Sequence, residues 1–481
     1  MARTGRWKAR LAALGLGLGL IAVAELALRM VGAADGVSWR PSRLVYVVEN
    51  GEVKGEFEVG AGAHFVAEPL DGQPGMRTAE AFALGRGKGF PVNGAMRDEH
   101  FTTVPAPGTE RYVVLGGSAA MGQAPIGRRG GAHWQPEKLA NGVQALPDGL
   151  ALSGQLEQRL IQAGRRAEVI NAGMIAQDSA GVQRIAREVL EFSPTALVLY
   201  MGNNEGIGLS AGMGGVDIPR LPAMRSVMHQ VRLYRVLADL VLPARQRMAQ
   251  APTEQVSGML PEVLGRITLT QWQSAGHPLM RDGEPTDEVY GALLARFERN
   301  LRTIVTEAKD RGVAVYVVPT APHLGYLPFF TGHDPALGPA ELGAFSEALN
   351  AARPAEQRRD WPGVVEAARR CVAVDPSSAA GHHLLGLGLD GTGHPSEAMD
   401  ELVKGHALDL SRKRTQPAFA RVAAEVCADL GCQTTDAHSA LLAEGRQRGL
   451  AVYNERYGDH EHLVPEGNAW VAGLFADLIL A

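Results

Sequence analysis

The chain has 481 residues, 46% of them hydrophobic and 21% charged, with a formal net charge of -5. That length exceeds one typical core and predicts two or three domains. The composition excludes a disordered chain, 58 glycines without a fixed period exclude a collagen-like one, and the mild negative charge leaves no footprint for nucleic acid.

Residues 1–34 read as a membrane anchor or signal sequence. Arg3, Arg6, Lys8 and Arg10 precede an apolar stretch, "LAALGLGLGLIAVAELALRMVG", from Leu11 to Gly32. A helix needs about 20 apolar residues to span a bilayer, and this stretch is long enough. Glu25 and Arg29 are spaced to pair on one helical face near the far interface. The basic cluster predicts a cytoplasmic N-terminus, hence a single-pass inner-membrane protein whose main body is extracytoplasmic (periplasmic). Cleavage is the competing reading, because Gly32, Ala33 and Ala34 offer small residues to a signal peptidase. We favour a retained anchor.

Residues 35–110 carry short apolar runs such as "LVYVV" and "EFEVG" between Gly and Pro, and read as a β-rich extension. From Arg111 strand and helix alternate. "RYVVL", "AEVIN", "ALVLYMG" and "VAVYVVP" are strands. Leu152–Gly164, Ser179–Phe192 and "DEVYGALLARFERNLRTIVTEAKDRG" are helices. Repeated βα units predict a parallel sheet with helices on both faces over 111–337. A basic amphipathic stretch within 206–283, "RLPAMRSVMHQVRLYRVLADLVLPARQRM", reads as a helical cap over a cleft, with a membrane-surface helix as the alternative.

The βα rhythm stops over 338–410. "WPGVVEAARRCVAVDP" is followed by "PSEAMDELVKGHALDL", and Asp375 and Asp409 lie 34 residues apart, the period of tetratricopeptide repeats. Fewer than three such repeats must lean on a larger domain, and their concave face offers a surface for a protein partner. An ordinary helical hairpin is the alternative. Residues 411–481 return to the main domain with a helix at "RTQPAFARVAAEVCADLG", a short strand at "CQTTDAHSAL" and a closing helix at "PEGNAWVAGLFADLILA". Three cysteines suit an exported chain. Cys427 and Cys432 either close a small disulfide loop, leaving Cys371 free, or remain two half-buried thiols at a helix end.

Four polar features fall at strand-end or pre-helix loops. Ser118 follows the first strand in "LGGSAAMG". Asn171 and Gly173 follow the second in "INAG". Gly202, Asn203 and Asn204 follow the third in "YMGNNEG", and Asp459 and His462 precede the last helix in "YGDHEHLVPEGN". Over a parallel sheet such loops converge. Ester chemistry asks for these residue types. A serine hydroxyl needs a base to take its proton, imidazole suits that task near neutral pH, and a carboxylate fixes the imidazole tautomer. Ser118 is then the candidate nucleophile, His462 the base and Asp459 its orienting residue. The N–H groups of Ser118 and Gly173 and the amide of Asn204 are the candidate oxyanion hole. His460 is a rival base but lacks the Asp-x-x spacing. A His460–His462 metal site has no third ligand, so no metal and no cofactor are expected.

This order of blocks resembles the SGNH (GDSL-type) hydrolases, through Ser118, Gly173, Asn204 and His462 in turn. "VNGAMRDEHF", ahead of the serine block, resembles the corresponding segment of membrane-anchored bacterial members. The resemblance covers 90–205, 285–325 and 411–481. It implies a three-layer α/β/α fold around a parallel sheet, here joined to a tetratricopeptide-like helical insertion and an N-terminal transmembrane helix. It also implies an esterase or O-acyl transferase acting through an acyl-enzyme on acyl esters, with carbohydrate of the envelope or an exported polysaccharide as the substrate class. Two departures stand out: Gly117 replaces the Asp usual before the serine, and Glu205 replaces the Asp usual after the asparagine. The reading from another class is a catalytically idle sheet domain serving as an anchored binding or assembly protein through its helical repeats.

Overall fold

The computed structural model describes residues 23–27, 43–49, 52–59, 64–79, 96–125, 137–138, 144–175, 177–205, 280–281, 284–285, 287–328, 331–334, 336–409 and 414–481. Most of the expected anchor and nearly all of the expected cap lie outside these residues. Among the described residues, no helix is long and apolar enough to cross a membrane.

Among the described residues, five parallel strands make the central sheet: β1 (Glu110–Gly116), β2 (Ala167–Asn171), β3 (Ala196–Met201), β4 (Ala314–Pro319) and β5 (Gln433–Thr434). Their order across the sheet is β2-β1-β3-β4-β5. Strands buried on both faces read as continuous apolar runs, which is why Tyr112 to Leu115 and Ala196 to Met201 have no polar alternation. The pleat still sorts them. Val113, Leu115, Leu197, Leu199 and Val317 meet helices α3 (Ser179–Val189), α4 (Asp287–Lys309) and α9 (Pro417–Leu430). Tyr112, Val114, Val198, Tyr200 and Val318 face the other way, toward α2 (Leu152–Gln162), α10 (Ala437–Arg448) and α12 (Pro465–Leu480). The result is three layers, and it follows from right-handed crossovers. The step from β1 to β2 runs one way across the sheet and every later step runs the other, so their helices cover opposite faces.

Among the described residues, two antiparallel sheets precede the central one: a hairpin of Arg43–Glu49 with Glu52–Val59, and three short strands, Phe65–Ala67, Gly75–Thr78 and His100–Thr102. Phe65, Phe101 and Phe192 meet edge to face, with centroids 5.4 to 5.9 Å apart, and join this extension to the α3 side of the core.

Between β4 and α9 the chain makes four helices in succession: α5 (Pro339–Gln357), α6 (Trp361–Val374), α7 (Ala379–Gly391) and α8 (Pro395–Ala407). Each packs on the next. Helices α6 and α8 start at Trp361 and Pro395, which is the 34-residue period seen in the sequence. Ala367, Leu384, Met399 and Leu402 share one core with Leu441 and Tyr453, so this short helical stack leans on the main domain. The tail of the domain differs from expectation. Between β5 and the closing helix come α10 and a short α11 (Ala451–Arg456), where the sequence suggested only a strand and a loop. Asp436 caps α10 by accepting the Ser439 N–H, a signal present in the sequence. Helix α9 ends at Gly431 in the left-handed region, φ 80°, and the chain turns back so that Cys432 joins Cys427 in a disulfide. Cys371 is free and buried.

The return from the helical stack is held by a buried ion pair. Arg414 donates to Asp409 Oδ2 at 3.1 Å and to the carbonyls of His323 and Tyr326 at 3.1 Å, which lie just after β4. Arg414→Met would remove a charged partner from the buried Asp409, and is expected to destabilise the fold by about 1.5–3 kcal/mol in denaturant unfolding. Asp409→Asn combined with Arg414→Met should be milder than Arg414→Met alone.

Candidate active site

Where strand order reverses in a parallel sheet, loops leaving adjacent strands turn to opposite faces and open a crevice at the carboxyl edge. Here the reversal lies between β1 and β3, and those strands deliver Ser118 and Asn203–Asn204. Strand β2 ends in Asn171, and the loop after it supplies Gly173. Ser118 opens a one-turn helix, α1 (Ser118–Met121), so its N–H has no intrahelical partner.

The fourth block arrives from the far end of the chain. Tyr457 and Leu463 form an antiparallel bridge, and Gly458 N–H donates to the His462 carbonyl at 3.0 Å, which closes the loop between them. Tyr457 O–H donates to the Ala321 carbonyl at 2.7 Å and ties that loop beyond β4. His462 Nε2 then lies 2.9 Å from Ser118 Oγ, and His462 Nδ1 lies 2.8 Å from Asp459 Oδ2. Asp459 Oδ1 accepts the N–H groups of His462 at 2.7 Å and Glu461 at 3.0 Å. An acceptor on Nδ1 puts the proton of neutral imidazole there, leaving Nε2 to accept from the Ser118 hydroxyl. All three side chains are buried, with Ser118, Asp459 and His462 exposing 4%, 5% and 3%.

Burial opposes ionisation of Asp459, but the bond to His462 and the two backbone donors outweigh it and hold the carboxyl well below its usual range. Burial likewise lowers the His462 pKa, and the bond to Asp459 with the nearby Glu461 charge overcomes this, so the imidazole is raised above 6.5. His460 stays apart. Its Nδ1 is 3.8 Å from Asp459 Oδ1 and its Nε2 is 3.3 Å from Glu461 Oε1, so His462 is the histidine that meets Ser118. Among the described residues, no group of three His, Cys, Asp or Glu could hold a metal ion.

The expected oxyanion donors are placed unequally. Asn204 is buried beside Ser118's turn, where its Nδ2 donates to the Gln177 carbonyl at 3.1 Å. Asn203 Nδ2 donates to Asn204 Oδ1 at 3.4 Å and fixes the orientation of that amide. One Asn204 N–H is left over. Gly173 departs from the expectation. Its N–H already donates to Asn171 Oδ1 at 3.0 Å, within its own turn, and can serve an oxyanion only by sharing or exchanging that acceptor. Asn171 in turn donates to Ser153 Oγ at 3.0 Å and the Ala120 carbonyl at 3.2 Å, which seats the second loop against α1. A Cβ at 173 would lie 2.5 Å from Met121 N, so only glycine permits that approach.

Gly117 and Glu205, the two positions that depart from the resemblance, are each closely packed. A Cβ at Gly117 would run into Asn204 Nδ2, so this arrangement of Asn204 excludes a side chain there. Glu205 is buried and accepts from Ser179 N–H at 2.6 Å and Ser179 Oγ at 2.9 Å, pinning the third loop to the start of α3. Desolvation, reinforced by the Asp178 charge, raises the Glu205 pKa. Arg97, from "VNGAMRDEHF", is a residue whose role only the fold reveals. It donates to the Met121 carbonyl at 3.2 Å and the Leu146 carbonyl at 2.9 Å and pairs with Asp148, bracing the end of α1.

Comparisons with known proteins are sparse. No family profile matches the chain, and no curated protein matches its sequence. Solved structures that align with it include an acetyl xylan esterase (11% identity, 76% of this chain and 98% of that one, TM-score 0.31). TesA aligns at 12% identity over 76% of this chain and 99% of its own, with a TM-score of 0.28. YxiM from Bacillus subtilis aligns at 10% identity over 92% of this chain and 75% of its own, with a TM-score of 0.35.

Two measurements check this geometry. In an NMR titration His462 should titrate above 6.5, and Asp459→Asn should lower that pKa. A base raised by folding contributes stability that is complete below its unfolded pKa and fades as pH rises through the folded one. Asp459, being depressed, adds stability that is lost as pH falls below 3.8 toward its folded value. Gly117→Ala should push the Asn204 amide off the Gln177 carbonyl, seen as a shifted Asn204 side-chain amide resonance.

Proposed function

We propose that this protein is a serine esterase or O-acyl transferase of the SGNH type, working through an acyl-enzyme on Ser118. The observation that carries the reading is the unbroken hydrogen-bonded line from Ser118 Oγ through the His462 ring to Asp459, buried at the switch point of a parallel sheet. His462 Nε2 takes the Ser118 proton as Oγ attacks the ester carbonyl carbon. Asp459 stabilises the imidazolium that forms. The oxyanion meets the remaining Asn204 N–H and the Ser118 N–H, with Gly173 N–H joining if it releases Asn171. The imidazolium gives its proton to the leaving alkoxide. Water or a sugar hydroxyl then attacks the acyl-enzyme by the same route in reverse.

In this reading the segment before residue 35 anchors the enzyme in the inner membrane, with its body on the periplasmic side. The Cys427–Cys432 disulfide supports an oxidising compartment. The substrate class is an acyl ester of envelope or exported carbohydrate. The stacked helices α5–α8, tetratricopeptide-like in period, offer a surface for a protein partner.

The full chain should hydrolyse a short-chain nitrophenyl ester, and Ser118→Ala should lower kcat by more than about 10⁴-fold. Asn204→Ala should lower it by about 10²–10³-fold. Only neutral His462 can accept the Ser118 proton, so kcat/KM should rise with pH through an apparent pKa above 6.5. A folded protein that neither turns over such esters nor reacts at Ser118 with a fluorophosphonate would leave the binding or assembly role as the better account.

A further inference from the structure

One carboxylate at this site has no part in the steps above. Glu461 lies between Asp459 and His462 in sequence, but its side chain turns to the other edge of the imidazole. Its Oε1 is 3.9 Å from His462 Nε2, the nitrogen that also faces Ser118 Oγ. Its Oε2 accepts from Asn203 Nδ2 at 2.8 Å, and Oε1 lies 3.3 Å from His460 Nε2. Asn203 is the neighbour that orients Asn204. Glu461 therefore bonds to the oxyanion loop and lies close to the Nε2 edge of the base. Burial favours the protonated form, yet the His460 charge and the bonds from His460 and Asn203 hold the carboxyl below its ordinary pKa, so it is an anion at neutral pH.

A separation of 3.9 Å is too long for a direct hydrogen bond, and a single oxygen about 2.8 Å from each atom spans it. Once Ser118 Oγ carries the acyl group and no longer donates to Nε2, an oxygen at that point is hydrogen-bonded to both the base and Glu461.

We propose that Glu461 holds the attacking hydroxyl during deacylation and thereby selects acceptors that carry two O–H groups, water or a vicinal diol, over monohydric alcohols. This rests on the Ser118 acyl-enzyme reading. The attacking oxygen gives one proton to His462 Nε2 and bonds to the acyl carbon. The bond from that carbon to Ser118 Oγ breaks, and Oγ takes the proton from His462. The second O–H, of the same water or of the neighbouring carbon in a diol, stays hydrogen-bonded to Glu461, which remains ionised throughout. A simple alcohol directs its one O–H at His462 and has none for the carboxylate. Carbohydrates present vicinal diols, so this contact favours a sugar as acceptor.

The test uses the full chain, a nitrophenyl acetate, and ethane-1,2-diol or ethanol as competing acceptor. Loss of the Glu461 charge in Glu461→Gln lowers the His462 pKa, so rates are compared at a pH above that pKa in both proteins. There, stopped-flow acylation and fluorophosphonate labelling of Ser118 should fall much less than deacylation. Deacylation should slow by about 10- to 100-fold, the effect of losing one hydrogen bond to a charged group, and a burst should appear. The wild-type preference for the diol over ethanol should collapse in the variant. A parallel fall in acylation, labelling and deacylation would mean that Glu461 only supports the loop, and would overturn the proposal. So would an unchanged diol-to-ethanol ratio. Absence of Ser118 labelling in the wild type would instead overturn the acyl-enzyme reading, and this role with it.

Discussion

The hydrogen bond between Ser118 Oγ and His462 Nε2 joins residues 344 positions apart, and the rest of the architecture can be read as what that contact requires. A bond of 2.9 Å tolerates little error in either partner. Ser118 is placed by the end of β1, a central strand with neighbours on both sides. His462 is placed by a bridged loop whose Tyr457 anchors to the chain beyond β4 and whose far end enters α12. Helix α12 packs on α2, the helix that follows the nucleophile's own turn. The two ends of the chain are thus registered against one another through one layer of the sandwich.

The cleft is dense with buried polar groups, and a second constraint follows from that. An unsatisfied buried donor or acceptor costs about 1–3 kcal/mol, so each must find a partner. Among the described residues, Asp459 accepts from the His462 side chain and from two backbone N–H groups. Asn171 donates to the Ala120 and Met121 carbonyls at the end of α1 and accepts within its own turn. Glu205 meets Ser179 twice, and Arg296 Nη2 donates to the Glu205 carbonyl at 2.8 Å. These bonds leave the loops few alternative conformations, which is what an electrostatically preorganised site needs. The engagement of Gly173 N–H by Asn171 belongs to the same accounting.

The helical stack is joined to this machinery without being part of it. Its apolar side merges with the core that holds α10 and α11, and Arg414 bonds its exit to the segment after β4. That segment also carries Ala321, the acceptor of the Tyr457 hydroxyl. The loop bearing His462 and the exit from the stack therefore share one support.

Much of this was legible from the amino-acid order. Apolar runs such as Tyr112 to Leu115 mark buried parallel strands, and amphipathic stretches such as Leu152–Gln162 mark their covering helices, because burial on two faces or one imposes those patterns. The 34-residue spacing predicted the starts of α6 and α8. Ser118, Asp459 and His462 were legible through residue chemistry and their places at element ends. Helices α10 and α11 were obscured, since Ala437–Arg448 carries little amphipathic contrast. The Asp-x-x spacing also singled out His462 over His460, and only the tertiary structure showed that Gly173 N–H is already bound, that Asn204 occupies the space beside Gly117, and that Glu461 turns toward Nε2. The reason is physical. Periodicity is set by the local backbone and its nearest burial, whereas a hydrogen bond across hundreds of residues depends on where every intervening element has packed.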